Sequence, residues 1–252
     1  MMKITDTVKH LIIINAIMFL ATMAIGGGEL LYQWLALYFP KNQNFQFWQI
    51  GTHMFMHGGF THLLFNMFAL WMFGTAVEQR LGSKKFLFLY FSAGLGAVLF
   101  QLGYYYFNFY SGFNILTDAG FEANQILETL NSGAGMRDTR WDQFFQGEGL
   151  IDFLRVFNAS MVGASGCIMG VLVAFGMLNP EAELMLIFLP IPIKAKYFIP
   201  GIIALDIISA ITGQSFFSPS NTAYMAHVGG AVIGFIIMWY WKKNQFKIHR
   251  QY

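Results

Sequence analysis

The chain has 252 residues, of which 56% are hydrophobic and only 11% charged, with a mean hydropathy of +0.50; a soluble domain carries about 25% charged residues. Water is therefore not the main solvent of this fold, because the apolar residues come in long blocks rather than the short alternations of an aqueous core. The lone Cys167 excludes an intrachain disulfide or a cysteine-rich metal site, and the formal net charge of +2 says little by itself, so no nucleic-acid partner is expected.

A single all-α membrane domain over residues 1–252 is the expectation. A spanning helix takes about 20 mostly apolar residues, and six candidates appear at roughly 8–26, 60–77, 86–109, 161–178, 197–213 and 222–241. The first follows Lys3 and Lys9 and runs into Gly26 to Gly28 without the polar stretch of a cleaved leader, so a membrane helix is expected there. The segment 184–193 is apolar but short and broken by Pro190 and Pro192, which predicts a re-entrant or interfacial loop.

Lys and Arg in short loops set orientation. Lys3, Lys9, Arg80, Lys84, Lys85, Lys194, Lys196, Lys242, Lys243, Lys247 and Arg250 fall on one side; Lys41, Arg137, Arg140 and Arg155 fall on the other. The first side is expected to be cytoplasmic, with both termini inside and the long loops at about 28–58 and 110–158 outside. The second of these is too polar to span. Within it FEANQIL, WDQFFQ and LIDFLRVF carry apolar residues at near-helical spacing, which suggests short surface helices; a partly ordered connector is the plainer alternative.

Three constellations carry possible chemistry. The first is HMFMHGGFTHLLFNMF, with His53, His57, His62 and Asn66. His62 and Asn66 are four apart, so they share a helical face and could present donors to one oxygen, although helical His and Asn also join membrane helices. A zinc site of the His-Glu-x-x-His type is not expected, because the Glu is missing. The second constellation is VGASGCIMG, where Gly163, Gly166 and Gly170 surround Ser165; it serves either a nucleophile or close helix packing. The soluble Gly-x-Ser-x-Gly elbow is not matched. The third is AYMAHVGGAVIGF, with His227 in an apolar helix and Gly230 and Gly234 one turn apart, which suits either a structural hydrogen bond or a general base.

Taken in order, His57-x4-His62-x3-Asn66, Gly163-x-Ser165-Gly166 and Ala226-His227-x2-Gly230-x3-Gly234 resemble the rhomboid intramembrane proteases, and Glu78-x-Arg80 and Trp48 fit the same pattern. The resemblance implies a six-helix rhomboid-like bundle with long outer loops, and a Ser-His dyad in which Ser165 attacks a peptide carbonyl and His227 takes its proton. His62, Asn66 and the Ser165 amide would hold the oxyanion. His57, Gly163, Gly166, Met169, Gly230 and Gly234 would be structural near the site, and Glu78 and Arg80 would brace an inner loop. The fifth helix and the loop from about Gln214 to Asn221 would gate a polar cavity open to the outside.

The substrates implied are single-span membrane proteins in the lipid bilayer, with no cofactor and no metal, in a bacterial cytoplasmic membrane. A non-catalytic rhomboid-like protein that binds membrane clients is the alternative. Two positions depart from the family pattern: Met169 stands where many relatives have a tyrosine against the catalytic histidine, and Gln49 follows Trp48 in place of arginine. The resemblance assigns no role to Asp206, in the fifth helix; it either bonds a neighbouring helix or, if folded beside His227, adds a third member to the dyad.

Overall fold

Long apolar blocks satisfy their backbone groups as helices, which is the only open-chain solution in lipid. The computed structural model describes residues 3–186, 189–216 and 222–248. In chain order the helices are α1 (Asp6–Ala24), α2 (Glu29–Leu35), α3 (Gln49–Thr52), α4 (Phe60–Ala69), α5 (Thr75–Leu81), α6 (Ser83–Asp118), α7 (Ala123–Asn131), α8 (Gly149–Phe157), α9 (Ser165–Leu178), α10 (Ala195–Thr212) and α11 (Tyr224–Ile248). A π-turn over Leu70–Gly74 joins α4 and α5 into one span of 22 residues. Four short strands accompany them: β1 (Leu37–Tyr38), β2 (Ser160–Met161), β3 (Glu183–Leu186) and β4 (Leu189–Lys194).

Among the described residues five helices are long and apolar enough to cross a membrane: α1, α4 with α5, α6, α10 and α11. They carry large apolar side chains outward, among them Ile17 on α1, Leu99 on α6, Ile211 on α10 and Tyr240 on α11. Such a surface suits hydrocarbon and would be costly in water. The chain is an all-α multi-pass membrane protein.

The fourth expected helix is α9, which begins at Ser165 rather than near 161 and has only 14 residues. Gly163, at φ +125°, turns the chain just before it. Every residue of α9 from Gly166 to Ala174 is buried, so it is the central helix of its unit and shows no outward face over that stretch. At 1.5 Å per residue it is about 21 Å long. That is less than the roughly 30 Å hydrocarbon core, so one of its ends lies at membrane depth.

The chain divides into two compact units: Met1–Ala21, Met54–Gln101 and Gly163–Tyr252 form the first, Thr22–His53 and Leu102–Val162 the second. The first is built around α9. Its core joins Val8, Leu70, Phe73, Phe86, Leu89, Val171 and Ala174. Glu78 ties helix ends together, as its carboxylate accepts from Thr5 Oγ1 (2.5 Å), the Val8 N–H (3.1 Å) and Ser83 Oγ (2.7 Å). These contacts join the starts of α1 and α6.

Helices α9 and α11 touch backbone to backbone. A Cβ added at Gly234 would lie 2.6 Å from the Gly170 Cα, one at Gly170 would lie 3.0 Å from the Gly230 carbonyl oxygen, and one at Gly230 would overlap the Gly166 carbonyl. On the other side of α11, a Cβ at Gly229 would lie 2.5 Å from the Gly96 carbonyl of α6. The glycine spacing read from the sequence is thus a close helix contact. The segment expected as a re-entrant or interfacial loop carries two paired strands, with β3 antiparallel to β4 in the register Glu183↔Lys194 and Leu184↔Ile193. Pro190 and Pro192 are two apart and lose their N–H groups on one edge of β4, which leaves the other edge to pair.

The second unit has an aromatic core of Phe39, Phe109, Trp141, Phe153 and Phe157 with Leu116, Ile126 and Leu130. The three apolar patterns read from the outer loop become α7, a 3₁₀ turn (Thr139–Gln143) and α8, so this segment is a packed structure. Helix α6 extends to Asp118, past its expected end near 109. Gly112 makes this extension packable, because a Cβ there would lie 2.6 Å from the Phe153 ring. Strand β1 pairs with β2 through Leu37↔Met161.

Gln49 organises the first loop of this unit. Fully buried, its Oε1 accepts from the Gln46 N–H (3.0 Å) and the Tyr38 N–H (3.3 Å), and its Nε2 donates to the carbonyls of Asn44 (2.9 Å) and Gln33 (3.2 Å). The departure from arginine thus serves as an internal clasp. Trp48 donates its indole N–H to the Trp34 carbonyl at 2.9 Å.

The helix contact yields a stability test. Gly234→Ala should lower the melting temperature in detergent, at a cost on the order of 1–3 kcal/mol, because backbone cannot move aside as a side chain can. Gly201→Ala, in the interior of α10 where an added Cβ meets nothing within 4 Å, should not lower it. Equal melting temperatures for all three chains would contradict the contact.

Candidate active site

Ser165 is the first residue of α9, half-buried, and the first helical bond runs from the Ile168 N–H to the Ala164 carbonyl at 2.9 Å. The amides of Ser165, Gly166 and Cys167 precede that bond, and the helix dipole adds positive potential there. Gly163 is required twice over: φ +125° disfavours any side chain, and a Cβ would lie 2.9 Å from His62 Nε2 and 3.7 Å from Ser165 Oγ. The imidazole of His62 and the hydroxyl of Ser165 therefore flank the same side-chain-free point.

Asn66 lies one turn along from His62, and its Nδ2 donates to the His62 carbonyl at 2.9 Å, which leaves the amide's second N–H available. His57 is buried with its ring edge-on to His62, centroids 5.1 Å apart. Met169, one turn after Ser165, is packed in the core. His62, Asn66, Ser165 and His57 thus gather at one end of the α4–α9 pair.

His227 sits in the first turn of α11, and its position follows from the glycine contact three residues on. A Cβ at Gly166 would lie 3.6 Å from the Ala226 carbonyl oxygen, so the residue after Ser165 packs against the residue before His227. Gln101 of α6 secures this turn by accepting the Ala226 N–H at 3.1 Å. His62 is within electrostatic reach of His227. Gln101 carries no motif and sequence reasoning passed over it.

On the other face of the imidazole the structure brings in an acid. Asp206 Oδ2 lies 2.8 Å from His227 Nδ1, with Asp206 1% exposed. No acid lies near His227 in its own helix or near Ser165 in α9, and the expected dyad has no carboxylate; the fold supplies one from α10. In the structure Ala195, Ile199, Ile202, Asp206 and Ser209 form one buried helical stripe. Among the described residues no three His, Cys, Asp or Glu side chains converge as metal ligands would. Residues 217–221 of the loop expected to cover the site, and Arg250, lie outside the described residues.

A serine at a helix N-terminus, a histidine on an adjoining helix and a histidine–asparagine face beside them lie within one multi-pass membrane protein. The family model for the Rhomboid domain matches residues 44–120 and 143–244, and the chain belongs to the rhomboid family. It is similar to Rhomboid protease GlpG of Salmonella choleraesuis (strain SC-B67), 37% identical over 78 residues, which are 31% of this chain and 28% of that protein. The match thus spans less than a third of that relative's length.

Two buried histidines outside the spans give a pH signature. Burial pushes His57 down to about 4, with His62 adding to the effect, and burial likewise brings His53 to about 4 against the opposing pull of the Gln49 carbonyl, 2.8 Å from its Nδ1. The unfolded chain takes up these protons near pH 6.5, whereas the folded chain resists until about 4. Stability from this source is complete above about pH 6.5 and is lost as pH falls towards 4. The melting temperature in detergent should fall across that window; a flat profile would contradict neutral burial of both rings.

Proposed function

We propose that the protein is an intramembrane serine endopeptidase that cleaves single-span membrane proteins, with Ser165 as nucleophile and His227 as base. The observation that carries this reading is the packing of Gly166 against the Ala226 carbonyl, which sets the start of α9 beside the turn that holds His227. Membership of the rhomboid family and the similarity to a protein described as a rhomboid protease support it.

In this reading the Ser165 hydroxyl gives its proton to His227 Nε2 as Oγ bonds to the scissile carbonyl carbon and the π pair moves to the oxygen. The resulting oxyanion is held by the Ser165 N–H and by donors from His62 and Asn66. On collapse the C–N bond breaks and the Nε2 proton leaves with the amine. Water then repeats the cycle on the acyl-enzyme with His227 again as base. The site opens to water at the outer ends of the helices, with α10 and the segment after it as gate. The protein resides in a bacterial cytoplasmic membrane with both termini inside, as the Lys and Arg distribution favours.

Purified chain incubated with a model single-span substrate tests this directly. Ser165→Ala and His227→Ala should each abolish cleavage, with the double variant no worse than either single one, because nucleophile and base act as a unit. His62→Ala and Asn66→Ala should lower kcat by about 100-fold with little change in KM. Cleavage by Ser165→Ala at an undiminished rate would overturn the proposal.

A further inference from the structure

The serine, the histidine and the oxyanion donors leave the buried acid Asp206 without a part in the chemistry. Asp206 reaches His227 from a different helix, its Oδ2 2.8 Å from Nδ1, at 1% exposure. Its place on the stripe of Ala195, Ile199, Ile202 and Ser209 turns it into the unit rather than towards lipid. An acid at that depth is costly unless something engages it, and an imidazole Nδ1 at hydrogen-bond distance is such a partner.

We infer that Asp206 is a positioning residue of the active site, making the catalytic unit Ser165, His227 and Asp206 rather than a pair. The inference rests on the reading of Ser165 and His227 as nucleophile and base. A carboxylate has only acceptor sites, so in this arrangement Asp206 accepts the hydrogen bond from Nδ1 and the lone pair is left on Nε2, the nitrogen that must receive the Ser165 proton. When Nε2 takes that proton the imidazolium carries N–H on both nitrogens, and Asp206 stabilises the charge without accepting the Nδ1 proton. The bond also ties α10 to α11, which makes the seated position of α10 the one in which the base is correctly oriented.

The test compares Asp206→Asn, Asp206→Ala and Asp206→Glu with the unaltered chain and with His227→Ala, using a single-span substrate in detergent. Asn and Ala should lower kcat on the order of 10- to 100-fold with KM within about two-fold, the loss expected for a charge-assisted hydrogen bond. Glu should recover part of kcat.

A second readout is the rate constant for phosphonylation of Ser165 by an organophosphonate probe, which counts folded chains alone and should fall in parallel for Asp206→Asn even if Asp206→Ala folds poorly. An Asp206→Asn chain that turns over and is labelled at the unaltered rate overturns the inference, and so does a rise in KM with kcat intact, which would make the contact a packing feature of α10. In both of those cases an inactive His227→Ala chain leaves the proposed function standing. An active His227→Ala chain would instead remove the base itself, and the inference with it.

Discussion

Two helix backbones in direct contact set the geometry of this protein. Inside a bilayer, lipid tails are as apolar as leucine, so helices gain little from hiding apolar faces and much from close van der Waals packing. The glycines of α9 and α11 supply it: Gly166 and Gly170 on one helix meet Gly230 and Gly234 on the other with no side chain between. Ser165 precedes the first of these glycines and His227 precedes its partner by three residues. Any side chain in the contact would spread the helix starts apart. Gly96 and Gly229 extend the same device to α6, whose Gln101 then holds the first turn of α11. Ser165 and His227 are thereby placed by main chain, the least adaptable part of the fold.

The short central helix follows from the same constraint. An α9 of 14 residues leaves one end at membrane depth, and its serine end is where unpaired amides and the helix dipole meet imidazoles. Polar groups at such depth are tolerated when they engage one another. Asn66 bonds to the His62 carbonyl and His227 faces Asp206, so these side chains engage partners inside the fold.

Much of this was legible because membrane helices write their packing in small residues. The glycine spacing, the four-residue step from His62 to Asn66 and the long apolar blocks each map to a feature of the first unit. The rest was hidden for identifiable reasons. The end of α6 is rich in Tyr, Asn and Gly, which weakens an apolar pattern without breaking the helix, and its packing depends on Phe153, forty residues further on. Strand β4 needs its partner β3 to accommodate its prolines, which composition does not report. Gln49 looked like a lost arginine because its role lies in five-residue and sixteen-residue backbone contacts. Asp206 was legible as one of two alternatives and no further, since it is twenty-one residues from His227 and only the crossing of α10 with α11 joins them.

The proposed dependence of Ser165 on His227 is open to a measurement that needs no substrate. The intact chain, folded in detergent, is treated with an organophosphonate probe and the adduct located by peptide mass spectrometry. One adduct, on Ser165, that disappears in a folded His227→Ala chain is the expected result. Equal labelling with and without His227, or labelling confined to other serines, would contradict an activated nucleophile at the start of α9.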